Sequence, residues 1–288
     1  MVDSVNMLMV GEAGYPAVLR DIASPPRRLY WQGHEPKGWI NRPKVAIVGS
    51  RKMSAYGRAV TDNLARQLAG CGVVIISGLA YGVDITAHQA ALASRGTTVA
   101  VLPSGLDKIY PAAHHNFATQ IRQSGTLLTE YPPGSRSYPG NFIARNRIIS
   151  GLADVLLITE AALKSGSLHT ARFALDQGKA VMAVPGNINS PASEGCNNLI
   201  KSGAIPVTDV SDVLFALKIK AEPRAVSELS FENPEEAKVY ELILQGTISQ
   251  DDLAEASGLD TPGLSNALTM LELSGRIRPG GGGSWLAA

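Results

Sequence analysis

The stretch Val45-Ala46-Ile47-Val48-Gly49-Ser50-Arg51 (VAIVGSR, 45–51) decides the fold. Four consecutive apolar residues followed by a glycine and two polar residues read as a strand buried on both faces that ends in a turn. Similar runs recur at VVII (73–76), TVAVL (98–102), TLLT (126–129), VLLIT (155–159), AVMAV (180–184) and AIPV (204–207). Segments of helical pattern lie between most of them. That alternation marks βαβ units and predicts a Rossmann-like, doubly wound, mostly parallel α/β sheet over residues 44–217.

Outward from this core, residues 1–43 are punctuated by Pro16, Pro25, Pro26, Pro36 and Pro43, and read as a short N-terminal extension packed on the domain. Residues 218–234 read as a polar linker. Residues 235–288 hold helical segments at about 235–245, 249–256 and 261–275, and the Gly-rich tail GRIRPGGGGSWLAA reads as a hairpin. Three helices and a β-ribbon predict a small C-terminal winged-helix domain.

Hydrophobic residues make up 45% of the chain and charged residues 18%, which suits a packed core and excludes a disordered chain. No apolar run approaches the roughly 18 residues of a membrane span. The opening MVDSVNMLMVGEAG has no basic leader, so neither a membrane nor secretion is expected. The two cysteines, Cys71 and Cys196, are far apart and predict a reducing, cytoplasmic location without structural zinc. The net charge of +1 hides an asymmetry. Residues 1–217 carry 20 Lys/Arg against 14 Asp/Glu, and residues 218–288 carry 6 against 11. A polyanion therefore belongs to the first part.

In an open α/β sheet, ligands sit at the carboxyl ends of the strands. The first such loop is GSRKMSAYG (49–57). Gly49 allows close backbone approach, Ser50 brings a hydroxyl, and Arg51 can grip a phosphate through two bonds. The later loops are SGLAYGVD (77–84), with Ser77 and Gly78; PSGLDKIYP (103–111), with Gly105; EYPPGSRSYPGNFIARNR (130–147); EAALKSGSLHT (160–170), with Lys164, Ser165, Gly166, Ser167 and Thr170; and PGNINSP (185–191). Loops of this class need turn residues in any case, but repeated Ser-Gly steps beside arginines favour an anion site. The anion is not a dinucleotide. Arg51 stands where the G-x-G-x-x-G fingerprint needs its second glycine, and Ile76-Ser77-Gly78-Leu79 offers no acid for a ribose. Gly178-Lys179-Ala180 precedes a strand, so it is no P-loop. The histidines lack metal-ligand spacing, and no G-x-S-x-G elbow is present. No cofactor, metal or catalytic residue is expected. NFIARNR (141–147) sets Phe142 beside Arg145 and Arg147, and a ring among guanidinium groups suits a single-stranded nucleic acid. The same residues would also serve as a buried helix anchor and as surface ion-pair partners.

The chain strongly resembles the bacterial DNA-processing protein A (DprA, or Smf) family. The resemblance rests on PRRLYWQG (26–33), VAIVGSR (45–51), YGRAV (56–60), ISGLAYGVDITAHQAAL (76–92), LPSGLDKIYP (102–111), TEYPPG (129–134), RNRIISGLAD (145–154), TEAALKSGSLHTA (159–171), AVPGN (183–187) and EGCNNLIKSGA (194–204). It implies a non-enzymatic protein that binds single-stranded DNA without strong sequence preference. It also implies a homodimer that delivers DNA to the recombinase RecA, typically in natural transformation. By motif match, Gly49, Ser50, Arg51, Ser165-Gly166-Ser167 and Arg145 with Asn146 should contact phosphates. Phe142 matches the aromatic of an F-P-x-R-N motif and should meet a base. The stretch EGCNNLIKSGA should belong to the dimer surface. This chain departs from the pattern at Ile143, where the motif has proline, and at Ala112-Ala113, where many members carry a cation. The segment TPGLSNALTMLELSG (261–275) has no Lys or Arg, which favours a protein-interaction or regulatory role for the C-terminal module. Two alternatives share the fold group: a nucleotide-processing enzyme resembling the phosphoribohydrolases of the LOG group, and a nucleotide sensor. Against the enzyme, KSGSLHT replaces P-G-G-x-G-T, and no carboxylate follows until Asp176.

Overall fold

The computed structural model describes residues 4–219, 231, 233–246, 249–281 and 283–287. The chain divides into two units, residues 1–221 and 222–288. In the first, the strands β1 (Asn6–Met9), β2 (Arg28–Gly33), β3 (Lys44–Val48), β4 (Val74–Ser77), β5 (Thr98–Val101), β6 (Thr126–Thr129), β7 (Val155–Ile158), β8 (Ala180–Ala183) and β9 (Ile205–Pro206) form one sheet. Their spatial order is β1-β2-β6-β5-β4-β3-β7-β8-β9, and pairing is parallel from β6 through β9. The helices between them are α1 (Ala55–Gly70), α2 (Val83–Ala93), α3 (His115–Ser124), α4 (Pro139–Leu152), α5 (Ser167–Asp176), α6 (Glu194–Lys201) and α7 (Val210–Ala216).

The topology explains the continuous apolar runs. Every residue of β3 is buried. Ala46 and Val48 pack in a cluster with Ile148, Ile149 and Leu152 of α4 and with Ala171 and Ala174 of α5. Val45 and Ile47 join Leu64, Ala65 and Leu68 of α1 and Ala87, Ala90 and Ala91 of α2. Helices therefore cover both faces, as a parallel sheet requires. The chain steps outward from β3 to β6, and α4 then returns it to β7, which pairs with β3 on its other side. Strand order reverses there, opening a crevice between the carboxyl ends of β3 and β7.

The N-terminal segment packs on the domain by lengthening its sheet. β2 pairs antiparallel with β6, with Tyr30 opposite Thr129, and β1 pairs antiparallel with β2. The prolines around these short strands masked them in the sequence. The run 204–207 yields only the two-residue β9, because Pro206 has no N–H to extend a ladder.

The second unit holds α8 (Pro234–Leu244), α9 (Gln250–Ser257), α10 (Thr261–Leu273) and the antiparallel ribbon β10 (Ile277–Gly281) and β11 (Ser284–Ala287). Val239, Ile243, Leu253, Leu264, Leu268, Leu271 and Ile277 share its core. The Ser249 hydroxyl accepts from Asp252 N at 3.1 Å to cap α9, and Gly258 ends that helix in the left-handed region at φ 65°. The Asp260 carboxylate caps α10. These elements form the expected winged helix. Most of the expected linker, 220–230 and 232, lies outside the described residues.

Candidate nucleic-acid interface

A cleft of about 900 Å³ occupies the crevice between β3 and β7. Gly49, Ser50, Arg51 and Lys52 line it from the loop after β3, and Lys164, Ser165, Gly166, Ser167 and Thr170 from the segment after β7. Tyr110 joins from the loop after β5, and Phe142, Arg145 and Asn146 join from α4.

The loop after β3 is held from beneath by Glu160. Ser50 N donates to the Glu160 carbonyl at 2.7 Å. A Cβ on Gly49 would stand 2.6 Å from that same carbonyl oxygen and 2.6 Å from Val83 Cγ2, so only glycine fits. The Glu160 carboxylate, 2% exposed, accepts from Ser54 N at 2.7 Å and from the Ser54 hydroxyl at 2.5 Å. Ser54 in turn caps α1. The α1 N-terminus, where a dinucleotide fold docks its pyrophosphate, therefore already carries a carboxylate of the protein itself.

Arg51 is exposed, with its guanidinium carbon 5.1 Å from the centroid of the Phe142 ring. Tyr110 meets the same ring edge-on, with centroids 5.2 Å apart. Phe142 lies in the first turn of α4 and not in a loop, because Pro139 starts the helix three residues earlier. Lys164 is exposed across the cleft. The Ser165 and Ser167 hydroxyls lie 2.8 Å apart where α5 begins. Ser167 N donates to Ser165 Oγ at 3.4 Å, Leu168 N to Ser165 O at 3.1 Å and His169 N to Gly166 O at 3.3 Å, so the helix end acts on the cleft through its dipole.

The α4 arginines take different positions. Arg145 is 3% exposed and forms part of the cleft floor. Its Nη1 donates to Gly78 O at 2.7 Å and to Val101 O, and its Nε donates to Asn146 Oδ1 at 3.2 Å. Beside it, Asp84 Oδ2 accepts from Gly78 N at 3.1 Å. Burial pushes the Asp84 carboxyl up, and the Arg145 charge opposes that shift. Burial pushes Arg145 down to about 10, and Asp84 opposes that shift. A Cβ on Gly78 would lie 2.6 Å from both Arg145 Nη2 and Asp84 Oδ2, so glycine leaves room for this pair. Arg147 points away from the cleft. Its Nη1 and Nη2 each donate to a Glu130 carboxylate oxygen at 2.7 Å, and its Nε donates to Ser24 O at 2.8 Å.

Three further expected residues, Ser77, Gly78 and Gly105, are not among those lining the cleft. The buried Ser77 hydroxyl donates to Ile47 O at 2.6 Å. Gly105 N donates to Ser135 O at 3.0 Å, tying two strand-end loops together. Sequence reasoning passed over Lys52 and Tyr110. Lys52 adjoins Arg51, and Tyr110 is an aromatic in a Gly/Pro loop, the signal that marked Phe142. Among the described residues, no group of three or more His, Cys, Asp or Glu could hold a metal ion, and no helix is long and apolar enough to cross a membrane.

A family model described as DNA recombination-mediator protein A matches residues 6–218, and one described as DprA winged helix domain matches residues 220–283. The chain is 40% identical over 279 residues to the protein Smf of Escherichia coli (strain K12), covering 93% of this chain and 74% of that protein. It is 42% identical over 237 residues to a DNA processing protein of Mycobacterium tuberculosis, covering 80% of this chain but only 61% of that relative's length. The X-ray structure of DNA processing protein A from Streptococcus pneumoniae superposes with a TM-score of 0.70 at 38% identity, covering 74% of this chain and 75% of that one. The Helicobacter pylori counterpart, described for its single-stranded DNA binding mode, gives a TM-score of 0.67 at 35% identity, covering 74% of this chain and 95% of that one. Two adjoining models across residues 6–283 and relatives near 40% identity lead to one conclusion: the chain belongs to the DNA recombination-mediator protein A (DprA/Smf) family.

Proposed function

We propose that this protein binds single-stranded DNA in the β3–β7 cleft. In this reading it acts in the cytoplasm as a homodimeric recombination mediator that loads RecA on incoming strands during natural transformation. The observation that carries the proposal is the pairing of Arg51 with Phe142 at a topological switch point. A guanidinium and an aromatic ring side by side offer one group to the phosphate and one to the base. Lys52, Lys164 and the α5 N-terminus add positive potential around them. Ser50, Ser165, Gly166, Ser167, Thr170 and Asn146 supply polar atoms for phosphate and sugar, and Gly49 gives close access. Arg145, Gly78, Ser77, Gly105 and Arg147 frame the site and do not grip the strand. The role is one of binding, and no bond-breaking step is assigned to it.

The Helicobacter pylori relative's described single-stranded DNA binding supports this reading. Dimerisation through EGCNNLIKSGA is supported by its place on α6 at the β9 edge of the sheet, where Ile205 is exposed. A reducing compartment suits two free cysteines, of which Cys196 has its thiol pushed up to about 12 by burial.

The test compares a labelled dT oligomer with a duplex of equal length by fluorescence anisotropy, and follows RecA assembly on the single strand with and without the protein. The expected result is preference for the single strand and faster assembly. Equal affinity for duplex, or competition by a mononucleotide as strong as by the oligomer, contradicts the proposal. The second of these outcomes favours a nucleotide sensor.

A further inference from the structure

Among the described residues, the exposed tyrosines all stand at the carboxyl edge of the sheet, each after a different strand. Tyr138 (64% exposed) follows β6, Tyr110 (46%) follows β5, Tyr81 (50%) follows β4 and Tyr56 (48%) follows β3. These four strands are spatial neighbours in the order β6-β5-β4-β3. Adjacent strands lie about 4.8 Å apart, so the three tyrosines after β6, β5 and β4 form a row of about 10 Å perpendicular to them, while Tyr56 turns to the loop after β8 and lies outside that row. Turn geometry does not account for it, because turns call for Gly, Pro, Asn, Asp and Ser. Nor do the rings fill the core, since about half of each residue stays in water.

The rings are steadied from one side. Tyr81 meets His114 edge-on at 4.7 Å between centroids, and Tyr110 meets Phe142 at 5.2 Å. The Tyr56 hydroxyl donates to Pro185 O at 2.8 Å. Cations accompany them. Tyr81, Tyr110, Phe142 and Arg51 line one small cavity beside the cleft. Beyond it, Tyr138, Tyr131, Asn141 and Arg136 line a hollow of about 590 Å³. The two regions are continuous through the start of α4, where Pro139 and Phe142 face the cleft while Tyr138 and Asn141 face the hollow.

We infer that the bound strand leaves the β3–β7 cleft and crosses the strand ends to β6, stacking bases on this tyrosine row and passing its backbone to Arg136 at the far end. The inference rests on the single-stranded DNA reading and adds a direction and a second subsite to it. Unpaired bases are required, because only they expose their faces to a ring.

Tyr138 is the clean probe. It precedes α4 as its N-cap but makes no side-chain cap bond, so its substitution leaves the helix start intact. The experiment titrates the full chain with labelled dT oligomers of about 4 and about 12 nucleotides, the ends of the site-size range common for such grooves. Tyr138→Ala is expected to weaken the longer oligomer roughly 5- to 150-fold, the equivalent of one lost base stack, and to leave the shorter one unchanged. Tyr138→Phe restores binding, because the ring and not the hydroxyl does the stacking. Arg136→Ala flattens the log–log salt dependence for the longer oligomer by about 0.7. Arg51→Ala weakens both lengths. If Tyr138→Ala binds both oligomers as the wild type does, or weakens both equally, the row is not the path, and the cleft reading survives on Arg51. If the wild type binds neither oligomer, the single-stranded DNA reading itself fails, and the track with it.

Discussion

The carboxylate of Glu160 accepts two hydrogen bonds from Ser54, one from its backbone N–H at 2.7 Å and one from its hydroxyl at 2.5 Å. Because the Glu160 carbonyl also receives Ser50 N at 2.7 Å, one residue fixes both ends of the loop that carries Arg51. Glu160→Ala removes the charged acceptor of both Ser54 donors. It is expected to destabilise the protein by about 1–3 kcal/mol, seen as a lower urea midpoint of the full chain. It is also expected to weaken dT binding by freeing Arg51. An unchanged midpoint together with unchanged binding would show that the loop holds its shape unaided.

Arg147 separates stability from binding. Its bidentate pair with Glu130 and its bond to Ser24 O join α4 to the strand-end loop after β6 and to the N-terminal segment. Both partners are largely buried, with side-chain exposures of 13% and 18%. Arg147→Ala should cost about 1–3 kcal/mol in denaturant unfolding and leave dT affinity within twofold of wild type. A large loss of affinity at unchanged stability would place Arg147 at the DNA instead.

Gly78→Ala tests the cleft floor. The added Cβ would sit 2.6 Å from Arg145 Nη2 and from Asp84 Oδ2, so the buried pair must separate or the β4 loop must shift. Overpacking of this kind costs about 1–3 kcal/mol. A wild-type melting temperature for Gly78→Ala would mean that the floor is looser than these distances state.

His88 gives the stability a pH signature. It is fully buried, and its Nδ1 lies 2.7 Å from Thr98 Oγ1. The Thr98 hydroxyl donates its one proton to Ile75 O, so Nδ1–H is the donor and Nε2 stays unprotonated. Burial first, then the charges of Arg145 and His114, pull its pKa from 6.5 down to about 3. The unfolded chain therefore binds a proton that the folded one refuses. The contribution is complete above pH 6.5 and declines as pH falls towards 3, by on the order of 3 kcal/mol at pH 4. Urea midpoints measured from pH 7 to 4 should fall more steeply for the wild type than for His88→Gln. Parallel profiles would contradict the assignment.

The sheet was legible where burial was two-sided. β3 and β7 carry unbroken apolar runs because helices cover both faces. β1 and β2 escaped notice because they join antiparallel at the margin, through backbone bonds that leave little side-chain pattern; β1 alternates half-buried and exposed residues. The site was legible in part for the same physical reason. Strand-end logic marks Arg51 and the Ser165–Ser167 turn, since topology alone brings β3 and β7 side by side. It does not separate Arg51 from Arg145 and Arg147. Those fates depend on α4, whose turn of about 100° per residue sends side chains two positions apart to nearly opposite faces. Tyr110 carried the same signal as Phe142, but its neighbourhood became visible only when the loops after β3 and β5 met over α4.

The measurement that tests the account most directly is the salt dependence of dT binding for wild type and Arg51→Ala. Arg51 stands at the switch point beside Phe142 with its charge exposed to the cleft. Removing it should lower affinity by about 1.5–3 kcal/mol and flatten the log–log slope by about 0.7, the share of one phosphate contact on a single strand. Phe142→Ala should cost about 1–3 kcal/mol with the slope unaltered. If Arg51→Ala binds dT with wild-type affinity and slope, the crevice between β3 and β7 is not where this protein holds DNA.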